Sequence, residues 1–364
     1  MRGNSGNQMQ YRLCLVVVFC VVGILWPCRR LWACDLCALY TAMQVESPQS
    51  GTFRASASEQ YTFLDKLQRN GSYVQNQADE YLKSSVTQVA AQYDFSDSLA
   101  LQYVLPVISR SFRRLKDGSV TSGSESGVGD MSFLLHYLPV RYSDGEITAR
   151  VRLFAGLKLP TGDTSRLGEE SHHSMSSTEM SSHSSMASNT RPYHSESGHG
   201  DSDHEMPTHD DEMTESGIHS HDLTLGTGSW DFPLGFGITT QYKRFMAMAD
   251  VQYMIRSEGA YSYRHANDLI WSTAVGGFLY LDDSLQIASR ARLSGQYKNN
   301  DRGAGGVEHD GSAFNGVFLG PEVSISSSKR IQAVVALDLP VNTHNSGLQI
   351  TPSYRWRGAI TYRF

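Results

Sequence analysis

The sequence predicts an all-β chain: a transmembrane antiparallel β-barrel of about twelve strands behind an N-terminal signal peptide. Three observations carry this reading. Residues 349–364 place Ile350, Tyr354, Trp356, Ile360, Tyr362 and Phe364 on one face, with Pro352 and Gly358 between them. Gln349, Thr351, Ser353, Arg355, Arg357, Thr361 and Arg363 share the other face, broken only by Ala359. A period of two separates these sets across one strand, and lipid outside with a wet lumen inside explains both the pattern and the aromatic end. The mean hydropathy of −0.34 excludes a bundle of membrane helices, each of which needs roughly 20 apolar residues in a row. Alternating segments also recur from residue 51 onward in the even number that bacterial single-chain barrels require.

Residues 1–33 read as the signal peptide. The apolar run Leu13–Trp26 follows Arg2 and Arg12, giving a basic and then a hydrophobic region too short to span a membrane, with cleavage after Ala33. Residues 34–50 then form a periplasmic segment that carries the two cysteines left after cleavage, Cys34 and Cys37. In an oxidising compartment a disulfide or unpaired thiols are the plain reading. A metal or redox role is a second, and lipidation of Cys34, after Leu31-Trp32-Ala33, a third. Haem attachment is excluded, because Ala38 stands where a histidine is needed.

The barrel is expected over residues 51–364. Its first strand is Gly51–Leu64, followed by Thr87–Phe95, Leu99–Ser109, Asp130–Tyr142, Glu146–Leu159 and Trp230–Tyr242. Met248–Arg256, Trp271–Leu281, Leu285–Tyr297, Val317–Ser326, Ile331–Val341 and Gln349–Phe364 complete it. Short turns at 96–98, 143–145, 243–245, 282–284 and 327–329 alternate with long polar loops near 65–80, 110–129, 160–229, 257–268, 298–316 and 342–348. Outer-membrane barrels keep short turns periplasmic and long loops extracellular, which puts both ends of the barrel on the periplasmic side. The inward faces carry Arg150, Arg152, Arg290, Arg292, Arg355 and Arg357, the expected lumen-lining residues. Tyr362 and Phe364 form the expected assembly signal for the barrel-assembly machinery, and outer-membrane lipid is the expected surround. The Leu-Pro pairs at 105–106, 138–139, 159–160 and 339–340 belong at strand ends or bulges, because proline removes a ladder donor.

Residues 168–222 differ from everything around them. Twelve acidic residues face Arg191 alone, so this stretch carries −11, and the formal net charge of −6 leaves +5 for the rest. With so little aliphatic content it is expected to be a disordered extracellular loop inserted in the barrel. It holds nine of the thirteen histidines, and its candidate metal ligands are His172, His173, Met175, His183, His194, His199, His204, His209, His219 and His221. Imidazole with thioether points to copper, with zinc close behind. A solvated insertion and a pH sensor are the other readings.

A catalytic reading has little to stand on. His136 falls on an inward face without a nucleophile–base pattern nearby, so no enzyme activity is expected. The chain also lacks a phosphate-cradling glycine loop and a basic patch interleaved with aromatics, and no nucleic-acid partner is expected.

Three blocks resemble a known family: Gly127-Val128-Gly129-Asp130, Gly156-Leu157-Lys158-Leu159-Pro160-Thr161-Gly162-Asp163, and Leu225-Gly226-Thr227-Gly228-Ser229-Trp230-Asp231. They are similar to recurrent motifs of outer-membrane transporters associated with the meta-pathway of phenol degradation, loosely akin to long-chain fatty-acid uptake channels. The resemblance covers residues 80–364 and implies a transport barrel in which the His/Met-rich stretch is an insertion. The expected function is an outer-membrane channel or transporter for small solutes, small organics or metal ions. The alternative is a surface copper- or zinc-binding protein anchored by its barrel.

Overall fold

The computed structural model describes residues 48–116, 118–170, 215–328 and 330–364. Its strands are β1 (Phe53–Arg69), β2 (Ser72–Tyr73), β3 (Tyr81–Asp94), β4 (Leu99–Lys116), β5 (Ser119–Val128), β6 (Ser132–Ser143) and β7 (Ile147–Lys158). After the third long loop follow β8 (Phe232–Tyr242), β9 (Phe245–Ile255), β10 (Asp268–Leu281), β11 (Leu285–Lys298), β12 (Phe314–Ser327), β13 (Ile331–Asn345) and β14 (Leu348–Arg363). Each strand pairs antiparallel with its neighbour, and β14 returns to pair with β1, closing the sheet.

The closed barrel has twelve staves, as the alternation predicts. Strand β4 pairs with β6 through Leu99–Val104 and with β5 through Val107–Lys116, so β5 and β6 are two parts of one stave. The short β2 is a spur beside β1 and adds no stave. Closure leaves no free edge in the wall, which a lipid environment demands of any sheet that spans it. The seam is fastened at the chain end: the Phe364 N–H donates to the Phe53 carbonyl at 2.9 Å, and the two rings lie 5.6 Å apart. Tyr362 packs edge-on against Phe364.

Inward positions are polar and covered; outward positions are apolar and bare. Along β1, Arg54, Ser56, Ser58, Gln60 and Thr62 are buried. Outward along β13, Val335, Leu337, Leu339 and Val341 are exposed, as are Phe133, Leu135 and Tyr137 along β6. The outer-membrane β-barrel follows from this inversion: burial inside is polar because the solvent outside is hydrocarbon. Among the described residues no helix is long and apolar enough to cross a membrane.

The structure departs from the expected strand map at the loop end. Residues 110–116 and 119–128, expected as a loop, continue the sheet as the upper half of β4 and all of β5. Ser109, Ser111 and Arg113 face Ser126, Ser124 and Ser122 across that hairpin. With polar residues outward as well as inward, hydropathy carries no period there. Strand β1 likewise runs on to Arg69 and β13 to Asn345. Ile350, expected toward lipid, is buried in an apolar cluster with Leu64, Leu82, Phe112, Ile218 and Leu223. The register slips where Leu64 and Lys66 meet Pro352 and Thr351, and such a slip lets a strand change which face it presents. Proline behaves as expected: Pro139 and Pro340 sit at register shifts, Pro160 lies beyond β7, and Pro106 marks the change of partner along β4.

The stretch expected to be disordered is placed at both ends. Residues 168–170 and 215–222 fold back into the mouth of the barrel, with Ile218 only 1% exposed. Composition over the whole stretch hides these flanks, whose few apolar residues find a preformed surface. Residues 171–214 lie outside the described residues, as do residues 1–47 with Cys34 and Cys37.

Val335, 62% exposed on the outward face of β13, gives a direct test of orientation. Val335→Arg should destabilise the barrel by about 2–4 kcal/mol near the midplane, measured by reversible urea unfolding in lipid vesicles. A cost near zero would place this face outside hydrocarbon.

Candidate functional site: a charge lock beneath a loop plug

The three sequence blocks, separated by up to a hundred residues, meet at the loop end of the lumen. Lys158, the last residue of β7, is the hub. Its Nζ donates to Asp130 Oδ2 at 2.5 Å and to Thr227 Oγ1 at 2.7 Å, and it pairs with Asp231 at 2.8 Å. The Thr227 N–H and hydroxyl both donate to Asp130 at 2.9 Å, and the Gly162 N–H donates to its other oxygen at 2.9 Å. Gly162 and Gly226 touch backbone to backbone. A Cβ on Gly162 would lie 2.7 Å from the Gly226 Cα, and one on Gly226 would lie 2.6 Å from the Gly162 carbonyl carbon. That contact explains both glycines, since only a residue without Cβ lets two main chains approach so closely.

Two residues outside the blocks extend the lock. Arg256 pairs with Asp231 at 2.8 Å and with Asp268 at 2.5 Å, all three nearly inaccessible. Lys298, directly opposite Asp268 in the β10–β11 register, pairs with Asp301 at 2.7 Å. Asp130, Lys158, Asp231, Arg256, Asp268 and Lys298 therefore alternate in sign around six consecutive staves. Strand-end charges at 256, 268 and 298 were the available sequence signal, but only register shows that they share one level.

The lock holds a plug. Residues 215–231 cross the mouth, with Ile218 and Leu223 buried against the inner wall and the Arg110 guanidinium donating to the Thr224 carbonyl. Glu80, itself buried, accepts from the Leu115 N–H at 2.6 Å, the Ser216 hydroxyl at 2.6 Å and the Gly217 N–H at 2.9 Å, joining wall to plug. Glu169 accepts from Arg114 at 2.9 Å and from Ser220 at 2.9 Å. Burial opposes its charge, but hydrogen bonds from Arg114, Ser220, Arg166 and Lys116 outweigh that and hold its carboxyl at about 2.

His219 and His221, two of the expected metal ligands, lie in this plug. The His219 ring lies 2.9 Å from the Leu348 carbonyl through Nε2 and stacks on His221. His221 lies 3.2 Å from Glu170 and 3.5 Å from Asp222. Burial alone would lower its pKa, but the Asp222, Glu170 and Asp301 carboxylates raise it to about 9. Among the described residues no three His, Cys, Asp or Glu side chains are grouped to hold a metal. The other candidates, His172, His173, Met175, His183, His194, His199, His204 and His209, lie outside the described residues.

Below the plug the inward faces carry paired charges. Arg152 meets Asp250 at 3.0 Å, Arg290 and Arg292 share Glu322 at 2.8 and 3.2 Å, and Arg357 meets Asp338 at 2.9 Å. Arg355 donates to Gln296 at 3.1 Å and lies over the Phe318 ring. Arg150 shares the inward face of β7 with Arg152, opposite Arg141. His136 bonds Gln102 at 2.7 Å. Ala90, Val104, Leu134 and Phe154 form an apolar patch on the same wall.

Comparison with a solved structure agrees on the fold. An outer membrane channel from Pseudomonas putida F1 superposes with a TM-score of 0.57 at 14% identity, covering 90% of this chain and 99% of that one. The β domain of the Bordetella autotransporter BrkA gives a TM-score of 0.41 at 9% identity, covering 86% of this chain and 100% of that one. A FadL homologue from Pseudomonas aeruginosa gives 0.30 at 9%, covering 86% and 90%. No family model matches the chain, and no curated protein matches it in sequence.

Replacing Lys158 by Met should leave Asp130 and Asp231 facing each other without their shared cation. Loss of one partner from a buried cluster costs about 3–5 kcal/mol. Thermal unfolding should shift accordingly, while an unchanged transition would refute the lock. The plug should also loosen with rising pH. The raised His221 pKa means its contribution is complete below 6.5 and disappears as pH passes about 9. Amide exchange in residues 216–225, corrected for intrinsic rate, should lose roughly tenfold or more protection between pH 6.5 and 9.5. His221→Gln should flatten that dependence.

Proposed function

We propose that this protein is an outer-membrane channel for small solutes whose mouth is closed by the third-loop plug. One observation carries the reading: residues 215–231 lie against the inner wall at the loop end and are held there by the hydrogen bonds of Thr227 and Gly217 and the ion pairs of Asp231. Such a closure separates from the wall by exchanging ion pairs for water. A barrel serving only as an anchor needs no such arrangement. The polar inward faces favour a hydrated path, and the paired arginines, including Arg290 and Arg292 on Glu322, give that path fixed charges of both signs.

The finer part of the proposal concerns the His/Met-rich segment 171–214. Its two ends join Glu170, which meets His221, and Glu215, which meets Arg69 at 3.2 Å. Copper or zinc drawn to that segment would act on the plug through these stems. Metal ion is then either a modulator or the cargo, and small organic solutes remain within the same reading.

Single-channel recording of the refolded mature protein in a planar bilayer tests this. The wild type should open rarely, Lys158→Met should raise open probability several-fold, and Cu²⁺ or Zn²⁺ on the loop side should change it. Arg290→Glu with Arg292→Glu should move the reversal potential toward cations. Silence in every variant, with folding shown by heat-modifiable gel migration, would overturn the channel and favour the metal-binding anchor.

A further inference from the structure

A further recess lies at the loop end of the wall, with the buried His265 among its lining residues. Tyr253, Leu269 and Tyr297 are directly opposed across β9, β10 and β11. The adjacent row, Met254, Asp268 and Lys298, is buried inward at 1% exposure for each residue, so period two turns the tyrosines and leucine toward the lipid. Above them residues of the loops 256–267 and 299–313 line an open recess of about 760 Å³. Its floor is part of the aromatic belt, and its upper rim is polar.

The rim holds an unusual pair. Arg264 and Arg302 form an isolated antiparallel bridge, each N–H donating to the other's carbonyl at 2.7 and 2.9 Å. Directly opposed residues present their side chains to one side, and like charges there are destabilising. Both arginines are among the residues that line the recess, where Glu308 is the one carboxylate. Glu308 meets Arg302 at 3.4 Å with both side chains more than half exposed, a pair worth little in water. Asn300 commits its Oδ1 to the Ala313 N–H and the Ser346 hydroxyl, leaving amide hydrogens as its offer to a ligand. Asn267 is fixed by donating to the Tyr253 hydroxyl at 3.0 Å. The recess thus presents two planar cations and amide donors above a tyrosine–leucine floor that continues into the lipid-facing wall.

We propose that this recess is a binding site for a phosphorylated headgroup carried by an outer-leaflet lipid. Guanidinium groups bind phosphate through paired N–H donors, relieving the repulsion between Arg264 and Arg302. Tyrosines at a membrane interface have one apolar and one wet end, matching a molecule whose phosphate lies above acyl chains. The occupant is an anionic amphipath and not a solute in transit, and the site stands whether or not the barrel conducts.

Native mass spectrometry of the full mature protein in mild detergent tests it. The probes are a bis-phosphorylated glycolipid, the same glycolipid without phosphates, and inorganic phosphate. The wild type should retain one equivalent of the phosphorylated lipid, and Arg264→Glu with Arg302→Glu should reduce retention at least tenfold. Arg264→Lys with Arg302→Lys should fall between, because lysine keeps charge but loses the planar fork. Equal retention by wild type and the Glu variant, both folded by heat-modifiable migration, would overturn the site. Equal retention of the phosphate-free lipid would overturn the role of phosphate. Displacement of the lipid by stoichiometric inorganic phosphate would overturn the lipid source in favour of a free anion.

Discussion

The loop end of this barrel depends on one chain of alternating charge: Asp130, Lys158, Asp231, Arg256, Asp268 and Lys298, each contributed by a successive stave. Every interior member has an opposite charge on both sides, which is the condition under which buried charges are tolerated at all. The chain sets which residues can close the mouth. Thr227 must reach Asp130 with both its N–H and its hydroxyl, so the loop must enter where Gly162 and Gly226 permit backbone contact. A bulky residue at either glycine would lift the plug from the lock even with every charge intact.

That arrangement divides the lumen into two regimes. Near the plug, carboxylates and cations meet across loops as well as strands, so breaking one contact frees main chain and opens space. Toward the short-turn end the pairs join strands already fixed by ladder hydrogen bonds, as Arg290 and Glu322 are in the β11–β12 register. Separating those pairs moves side chains only. The mobile element is therefore expected at the mouth, while the lower wall supplies a constant electrostatic lining.

The staves were legible in sequence because lipid enforces alternation wherever it touches the wall. The signal ends where lipid does. Residues 110–116 and 119–128 are strand with polar residues on both faces, and Ile350 turns inward past the β1 irregularity because Ile218 and Leu223 offer it an apolar partner. The site was half legible. Its glycine-and-charge blocks stood out as motifs, and their convergence is the physical reason for the pattern. Arg256 and Asp268 were invisible as partners, because a lone charge at a strand end reads as ordinary capping of a loop. The six arginines were placed on inward faces by periodicity, yet the carboxylates that Arg152, Arg290, Arg292 and Arg357 meet lie on other strands, and periodicity cannot show that Arg357 reaches Asp338 diagonally while Arg355 stands opposite it.

Polarity inside the barrel would suggest free water and weak specificity if faces alone were considered. Pairing changes that conclusion. An arginine held by a buried carboxylate is a directional dipole with limited capacity to bind a passing anion, so strong capture is not what this lumen is built for. Weak, sequential contact is what passage requires, since a solute held tightly at any level would not leave. The strong interactions are concentrated in the lock, where they act on protein rather than cargo. On the proposed channel reading, control is exerted at the mouth, by whatever alters the balance of charge among Glu170, His221 and the alternating chain beneath them.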